Sequence, residues 1–185
     1  DAGMVPLFET NRGCPFRCTF CAWGMASRNL VRRFSLETAL AEIEYVGARS
    51  MARNWIVCDA NFGILKRDVE IAQAIRRVKD RTGMPQKCQS WMSKNTTERN
   101  LEIAEIMGDM VFAVMAVQSM DSEVLKAIKR DNISLESYQK YQQRFHDIGS
   151  KTGSDVIVPL PGETIQSHLS GLRDLFKLEV DFISN

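Results

Sequence analysis

The chain alternates short apolar runs with stretches in which apolar residues recur at helical spacing. VPLFET (5–10) predicts a first strand that leads straight into a polar loop. Ser35 then offers a helix cap, with Leu36, Leu40, Ile43 and Gly47 on one face of the helix it would start. WIVCDA (55–60) predicts a second strand, followed by a helix marked by Ile71, Ala74, Ile75 and Val78 and ended by Gly83 and Pro85. KCQSWM (87–92) predicts a third strand, and Asn95 with Glu98 three residues on forms a capping pair for the next helix. VFAVMAV (111–117) is an unbroken apolar run, the pattern of a parallel strand covered on both faces. Helical stretches follow around 122–130 and 135–148, the second carrying Leu135, Tyr138, Tyr141, Phe145 and Ile148. DVIVPL (155–160) predicts the fifth strand, and Ile165, Leu169, Leu172 and Phe176 stripe the helix behind it. DFIS (181–184) begins a sixth.

This β–α alternation implies an α/β protein with a parallel sheet and right-handed crossovers. Such folds, closed or open, place their chemistry at the C-terminal ends of the strands. The strand ends here are polar. They carry the cysteines of the first loop, then Asp59 and Asn61, then Ser93, Lys94 and Asn95, then Gln118 and Ser119, then Pro161, Gly162 and Glu163.

Composition narrows the picture. The 185 residues fit one domain, 1–185, large enough for a substantial core. A formal charge of +1 argues against a generic polyanion binder, so no nucleic-acid partner is expected. The cluster of Arg28, Arg32 and Arg33 reads as a solvated face. No apolar run approaches the ~18 residues of a membrane span, and no signal peptide is visible. The five cysteines are an odd number with three in one loop, which points to metal chemistry in a reducing compartment, with the cytoplasm as the expected location. The start at Asp1 and the stop inside DFISN suggest a domain excised from a longer protein with flanking domains.

The loop RGCPFRCTFCAWG (12–24) carries Cys14, Cys18 and Cys21. Closely spaced thiolates suit a soft metal or an iron–sulfur cluster. A closed zinc site needs a fourth ligand. His146 and His168 sit on predicted helices away from this loop, and Cys58 and Cys88 lie inside predicted strands, where a buried inert thiol is the usual role. The fourth ligand is therefore read as a small molecule. In a [4Fe–4S] cluster three cysteines leave one iron open to it. A binding domain that holds zinc or a cluster only for structure is the competing reading.

Cys14-Pro-Phe-Arg-Cys18-Thr-Phe20-Cys21 resembles the shared motif of the radical S-adenosylmethionine (SAM) enzymes, C-x3-C-x-φ-C with φ aromatic. The resemblance covers essentially the whole chain and implies a partial (β/α)6 TIM-like barrel of the radical SAM type. It implies that Cys14, Cys18 and Cys21 hold a [4Fe–4S] cluster whose open iron takes SAM. Reductive cleavage then yields methionine and a 5′-deoxyadenosyl radical that abstracts hydrogen from a substrate. Phe20 would lie beside the adenine. DANFG (59–63) takes the place of the family's Gly-Gly-Glu-type segment but departs from it, giving Asp59 and Asn61 as contacts to the SAM amino group. VQSMDSEVLKAIKR (117–130) resembles the strand-four motif, with Gln118 on the ribose, Ser119 beside it and Arg130 on the SAM carboxylate. Asp155 is similar to a ribose-binding acid, VPLPGE (158–163) to the segment that supports the adenine, and Ser93 stands where relatives often carry an acid. The motifs look most like the branch with an upstream cobalamin-binding domain, many of whose members are methyltransferases. That implies cobalamin bound outside this chain, a small-molecule or biosynthetic-intermediate substrate and a low-potential electron donor of the flavodoxin or ferredoxin type. Methylthiotransferases and an oxygen-independent coproporphyrinogen dehydrogenase share the barrel, and a degenerate barrel that keeps its cluster without cleaving SAM is a further alternative.

Overall fold

The structure, a computed structural model, describes residues 4–24, 30–93, 95 and 98–185. Asp1, Arg28 and Lys94 lie outside the described residues. Strand β1 (Leu7–Phe8) runs into β2 (Asn11–Arg12), which pairs antiparallel with β3 (Arg32–Arg33) and so clips together the two ends of the cysteine loop. Arg32 and Arg33 are exposed, as a solvated face requires. After β3 come α1 (Leu36–Gly47), β4 (Asn54–Phe62), α2 (Asp68–Thr82), β5 (Lys87–Met92) and α3 (Glu98–Met107). Beyond these lie β6 (Ala113–Val114), α4 (Ser122–Ala127), α5 (Leu135–Asp147), β7 (Thr152–Asp155), α6 (Ile165–Lys177) and β8 (Phe182–Ser184).

Six of the strands form two parallel sheets, ordered β1-β4-β5 and β6-β7-β8, and an isolated Gln118–Val156 bridge lengthens the second. This is the expected partial barrel. Its core lies between the outer strand faces and the helices: Trp55, Val57 and Phe62 of β4 meet Ile71, Ile75 and Val78 of α2, all fully buried. Helices α1 and α2 pack so closely that a Cβ on Gly47 would lie 2.6 Å from Val78 Cγ1. Ser35 caps α1 by accepting from the Thr38 N–H, and Gly83, at φ 77°, ends α2 in the left-handed region that favours glycine.

Three expectations need correcting. The 111–117 run is not covered on both faces: Val111, Ala113, Met115 and Val117 are buried, whereas Phe112, Val114 and Ala116 line an open interior. The fifth strand is Thr152–Asp155, ahead of the apolar stretch expected to form it. Leu160, and with it Ile157, instead packs on Val124 and Ile128 of the α4 region. Helix α6 buries Gly171 and Leu175, while Ile165, Leu169 and Phe176 of the expected core stripe are exposed. The capping pair of Asn95 with Glu98 turns on residues 96 and 97, which lie outside the described residues.

Candidate functional site

The C-terminal strand ends open onto a cavity of about 240 Å³. Cys14, Cys18 and Cys21 line it from the loop between β2 and β3, Asn61 from β4, Ser93 from the end of β5, and Asp155 from β7. Gln118 and Arg130 line it from the segment that joins β6 to α5. Cys14 and Cys18 are buried and Cys21 half-buried. The loop is fixed at its far side as well, where the Thr19 N–H donates to the Ile128 carbonyl at 3.0 Å.

The root of the loop rests on a buried carboxylate. Asp59 is fully buried and accepts from the Thr10 N–H at 2.7 Å, the Thr10 hydroxyl, the Asn11 N–H at 3.1 Å and Asn11 Nδ2 at 2.6 Å. Arg67 completes the arrangement by donating from Nη2 to the Thr10 carbonyl at 2.6 Å. Burial pushes the Asp59 carboxyl above its ordinary value, against the pull of these donors. Asp59 does not line the cavity, so the expected contact with SAM gives way to an anchoring role.

Asn61, two residues on, does reach the cavity. Its Nδ2 donates to Cys14 Sγ at 3.1 Å from a side chain only 4% exposed. The β4–β5 register shifts between Val57 and Phe62, and such irregularities re-aim side chains next to functional sites. Directly across, Arg130 is 7% exposed. Its Nη2 donates to the Ala116 carbonyl, its Nε to Asn132 Oδ1 at 2.8 Å, and its Nη1 lies 4.0 Å from Cys18 Sγ. Burial pushes this guanidinium below its ordinary value, while the Cys18 and Cys21 sulfurs and Asp155 pull the other way. Gln118 holds φ 65°, a left-handed conformation costly for a residue with a Cβ. Strand β7 enforces it: the Gln118 N–H donates to the Asp155 carbonyl at 2.8 Å, and its own carbonyl accepts from the Ile157 N–H at 3.0 Å.

Phe20, Asn61, Ser93, Gln118, Arg130 and Asp155 thus share one cavity with the three cysteines. Ser93 donates to Asn100 Oδ1 at 2.8 Å, and the Ser184 hydroxyl donates to Asp155. Ser119 stands apart, donating to Glu163 Oε1 at 3.1 Å beside His168. Sequence reasoning missed Phe16, Trp23 and Trp91, which supply much of the apolar wall. The inward alternation of β5 was a usable signal for Trp91, whereas nothing in the sequence marks Asn132 as the brace of Arg130. Cys88 is buried, and its thiol is pushed up to about 12, as an inert core cysteine should be. Cys58 is exposed instead of buried, because its face of β4 looks into the open interior.

The donor set fits an iron–sulfur cluster. Three thiols meet a buried guanidinium and a buried amide in one cavity, while both histidines bond elsewhere, His146 with Asp181 and His168 beside Glu163. Among the described residues no three His, Cys, Asp or Glu side chains close on one point to share a single ion. A cluster presents separate iron corners and does not ask that of its ligands.

Residues 8–174 match the Radical SAM superfamily. The chain is 38% identical, over 92% of its length, to the cobalamin-dependent radical SAM methyltransferase TokK of Streptomyces tokunonensis. It is 39% identical, over 96% of its length, to the 2-(S-pantetheinyl)-carbapenam-3-carboxylate methyltransferase of Streptantibioticus cattleyicolor. It spans only 25% and 26% of those two proteins. Among solved structures, the radical SAM methyltransferase TsrM of Kitasatospora setae matches 98% of this chain with 35% of its own, at 16% identity and a TM-score of 0.77. At that identity the likeness speaks for the fold.

Proposed function

This chain belongs to the radical SAM superfamily, and from that premise we propose that it is the catalytic core of a cobalamin-dependent methyltransferase acting on a small biosynthetic intermediate. One observation carries the reading: three cysteines, Asn61, Gln118, Arg130 and Asp155 reach one cavity from separate strands and loops. The near-full coverage by two methyltransferases at 38% and 39% identity favours this branch over the others that share the barrel.

Cys14, Cys18 and Cys21 would hold the [4Fe–4S] cluster. When bound, that group supplies the electron that cleaves SAM to methionine and a 5′-deoxyadenosyl radical, which removes hydrogen from the substrate carbon, with the methyl group delivered through cobalamin held outside this chain. The protein's part is to bind, orient and exclude water. Arg130, braced by Asn132 and the Ala116 carbonyl, presents a fixed cation for the SAM carboxylate. Gln118 and Asp155, tied together through β7, would take the ribose hydroxyls, Ser93 would border the cofactor from β5, and Phe20 would offer a ring face to the adenine. Trp23 and Trp91 keep the walls apolar, which limits the access of water to a reactive radical.

Electrons would come from a low-potential flavodoxin or ferredoxin type of donor in a reducing compartment, for which the cytoplasm is our reading. Among the described residues no helix is long and apolar enough to cross a membrane. The test uses the anaerobically reconstituted whole protein, including the cobalamin-holding part that lies outside this chain, with cobalamin, methyl-labelled SAM and the carbapenam carboxylate named for the Streptantibioticus relative. Label in a methylated product supports methyl transfer. SAM consumption without label on any supplied acceptor contradicts it. Arg130→Ala should weaken SAM binding by tenfold or more, about 1.4 kcal/mol, with iron content unchanged. Unchanged affinity would remove Arg130 from the SAM site.

A further inference from the structure

We propose that Asn61 is a tuning residue: its Nδ2–H donates to the Cys14 sulfur and raises the reduction potential of the cluster held there, with Arg130 acting in the same sense on Cys18. The inference rests on the cluster reading above and concerns how readily the site accepts its electron.

Both contacts are on the protein's own atoms. Asn61 Nδ2 lies 3.1 Å from Cys14 Sγ, well inside hydrogen-bond range for sulfur, and Arg130 Nη1 lies 4.0 Å from Cys18 Sγ, at its edge. Both side chains are over nine-tenths buried. Water therefore does little to screen the amide dipole or the guanidinium charge. The chain spends a strand irregularity on Asn61, since the β4–β5 register breaks between Val57 and Phe62, the stretch that carries it.

A thiolate that accepts a hydrogen bond passes less negative charge to iron. The reduced state carries one more electron than the oxidised state, so it gains more from the donor, and the potential rises. Hydrogen bonds to the cluster sulfurs are among the levers that set iron–sulfur potentials. The two donors divide the work: a neutral amide on the first cysteine of the motif and a full positive charge beside the second. The residue found where the family has its Gly-Gly-Glu-type segment is thus turned toward the metal ligands.

The test is an anaerobic redox titration of reconstituted full chain, followed by electron paramagnetic resonance of the reduced cluster, with iron content measured in parallel. Asn61→Leu removes the donor at similar volume. At a fixed ambient potential it should lower the ratio of reduced to oxidised cluster about tenfold, a midpoint 59 mV more negative for one electron. Asn61→Asp keeps the shape but replaces the donor by a negative acceptor, and should shift the midpoint further the same way. A purely structural role would change iron content and leave the midpoint of the remaining cluster alone. Wild-type midpoints in both variants, or loss of iron in both, would overturn the proposal while leaving the cluster reading intact. Failure of the wild-type chain to form a cluster would instead overturn that reading.

Discussion

The two half-barrels solve different problems. In the first, β4 is nine residues long and β5 six, α1 and α2 interlock at Gly47, and buried Asp59 ties the cysteine loop to the sheet. In the second, the strands run for two, four and three residues, and α6 leaves Ile165, Leu169 and Phe176 in solvent. Its cavity-facing end is irregular backbone, with Gln118 held left-handed and Arg130 pinned to a carbonyl. One half is a stiff platform that positions metal ligands. The other gives up regular structure to aim polar groups at the same cavity. Precision at the cysteines is therefore a property of stability, and at Gln118 and Arg130 a property of local hydrogen bonding.

Substitutions can break this contrast. The largest effect is expected for Asp59→Ala, which strands the buried Thr10 and Asn11 donors and should cost about 3 kcal/mol in urea unfolding, with loss of reconstituted iron. Asp155→Ala, in the opposite half, should cost about 0.5 kcal/mol or less and show itself in SAM affinity. Equal costs at the two sites would erase the distinction.

The next effect is pH-dependent. Asp68 is fully buried and accepts the Gly63 and Leu65 N–H groups, yet burial pushes its carboxyl up to about 6 from 3.8. A carboxyl raised in the folded state favours folding while protonated, so its contribution is full below 3.8 and is lost as pH rises through 6. The loss is on the order of 3 kcal/mol. Asp68→Asn should flatten that part of the stability profile, as read by unfolding at pH 4, 5, 6 and 7 (roughly one measurement per unit across the window). An unchanged profile would place the titration elsewhere.

Smaller still are two glycine substitutions on helices. Gly47→Ala drives a Cβ to 2.6 Å from Val78 and should lower stability by about 1–3 kcal/mol. On α6, Gly171→Ala meets Met120 Cβ at 3.2 Å, where a small shift of Met120 and the better helix propensity of alanine should hold the change below about 1 kcal/mol. A thermal melt of each variant decides whether the platform is the less tolerant half.

The sequence made the platform easy to read and the second half hard. The caps at Ser35 and Gly83 and the bounds of β5 follow from local chemistry that the fold leaves in force. Strand β7 was expected too far along the chain because Gly153, Ser154 and Asp155 have little strand character. Gly153 is there for space, since a Cβ would meet the Phe112 ring at 2.7 Å. The α6 stripe misled because periodicity finds an apolar face without saying what covers it. At the site, six of the eight expected cofactor contacts reach the cavity, and for Asn61, Ser93, Gln118 and Asp155 a strand end in a parallel fold fixes the direction. Asp59 and Ser119 do not, because buried donors and acceptors across sequence separations of 49 and 44 residues claimed them first.

The most direct measurement is 5′-deoxyadenosine release from anaerobically reconstituted chain given SAM and dithionite, run beside Cys18→Ala. The account predicts a brown protein that forms 5′-deoxyadenosine and a variant that forms neither cluster nor nucleoside. A colourless protein that holds one tightly bound zinc and leaves SAM intact would contradict it.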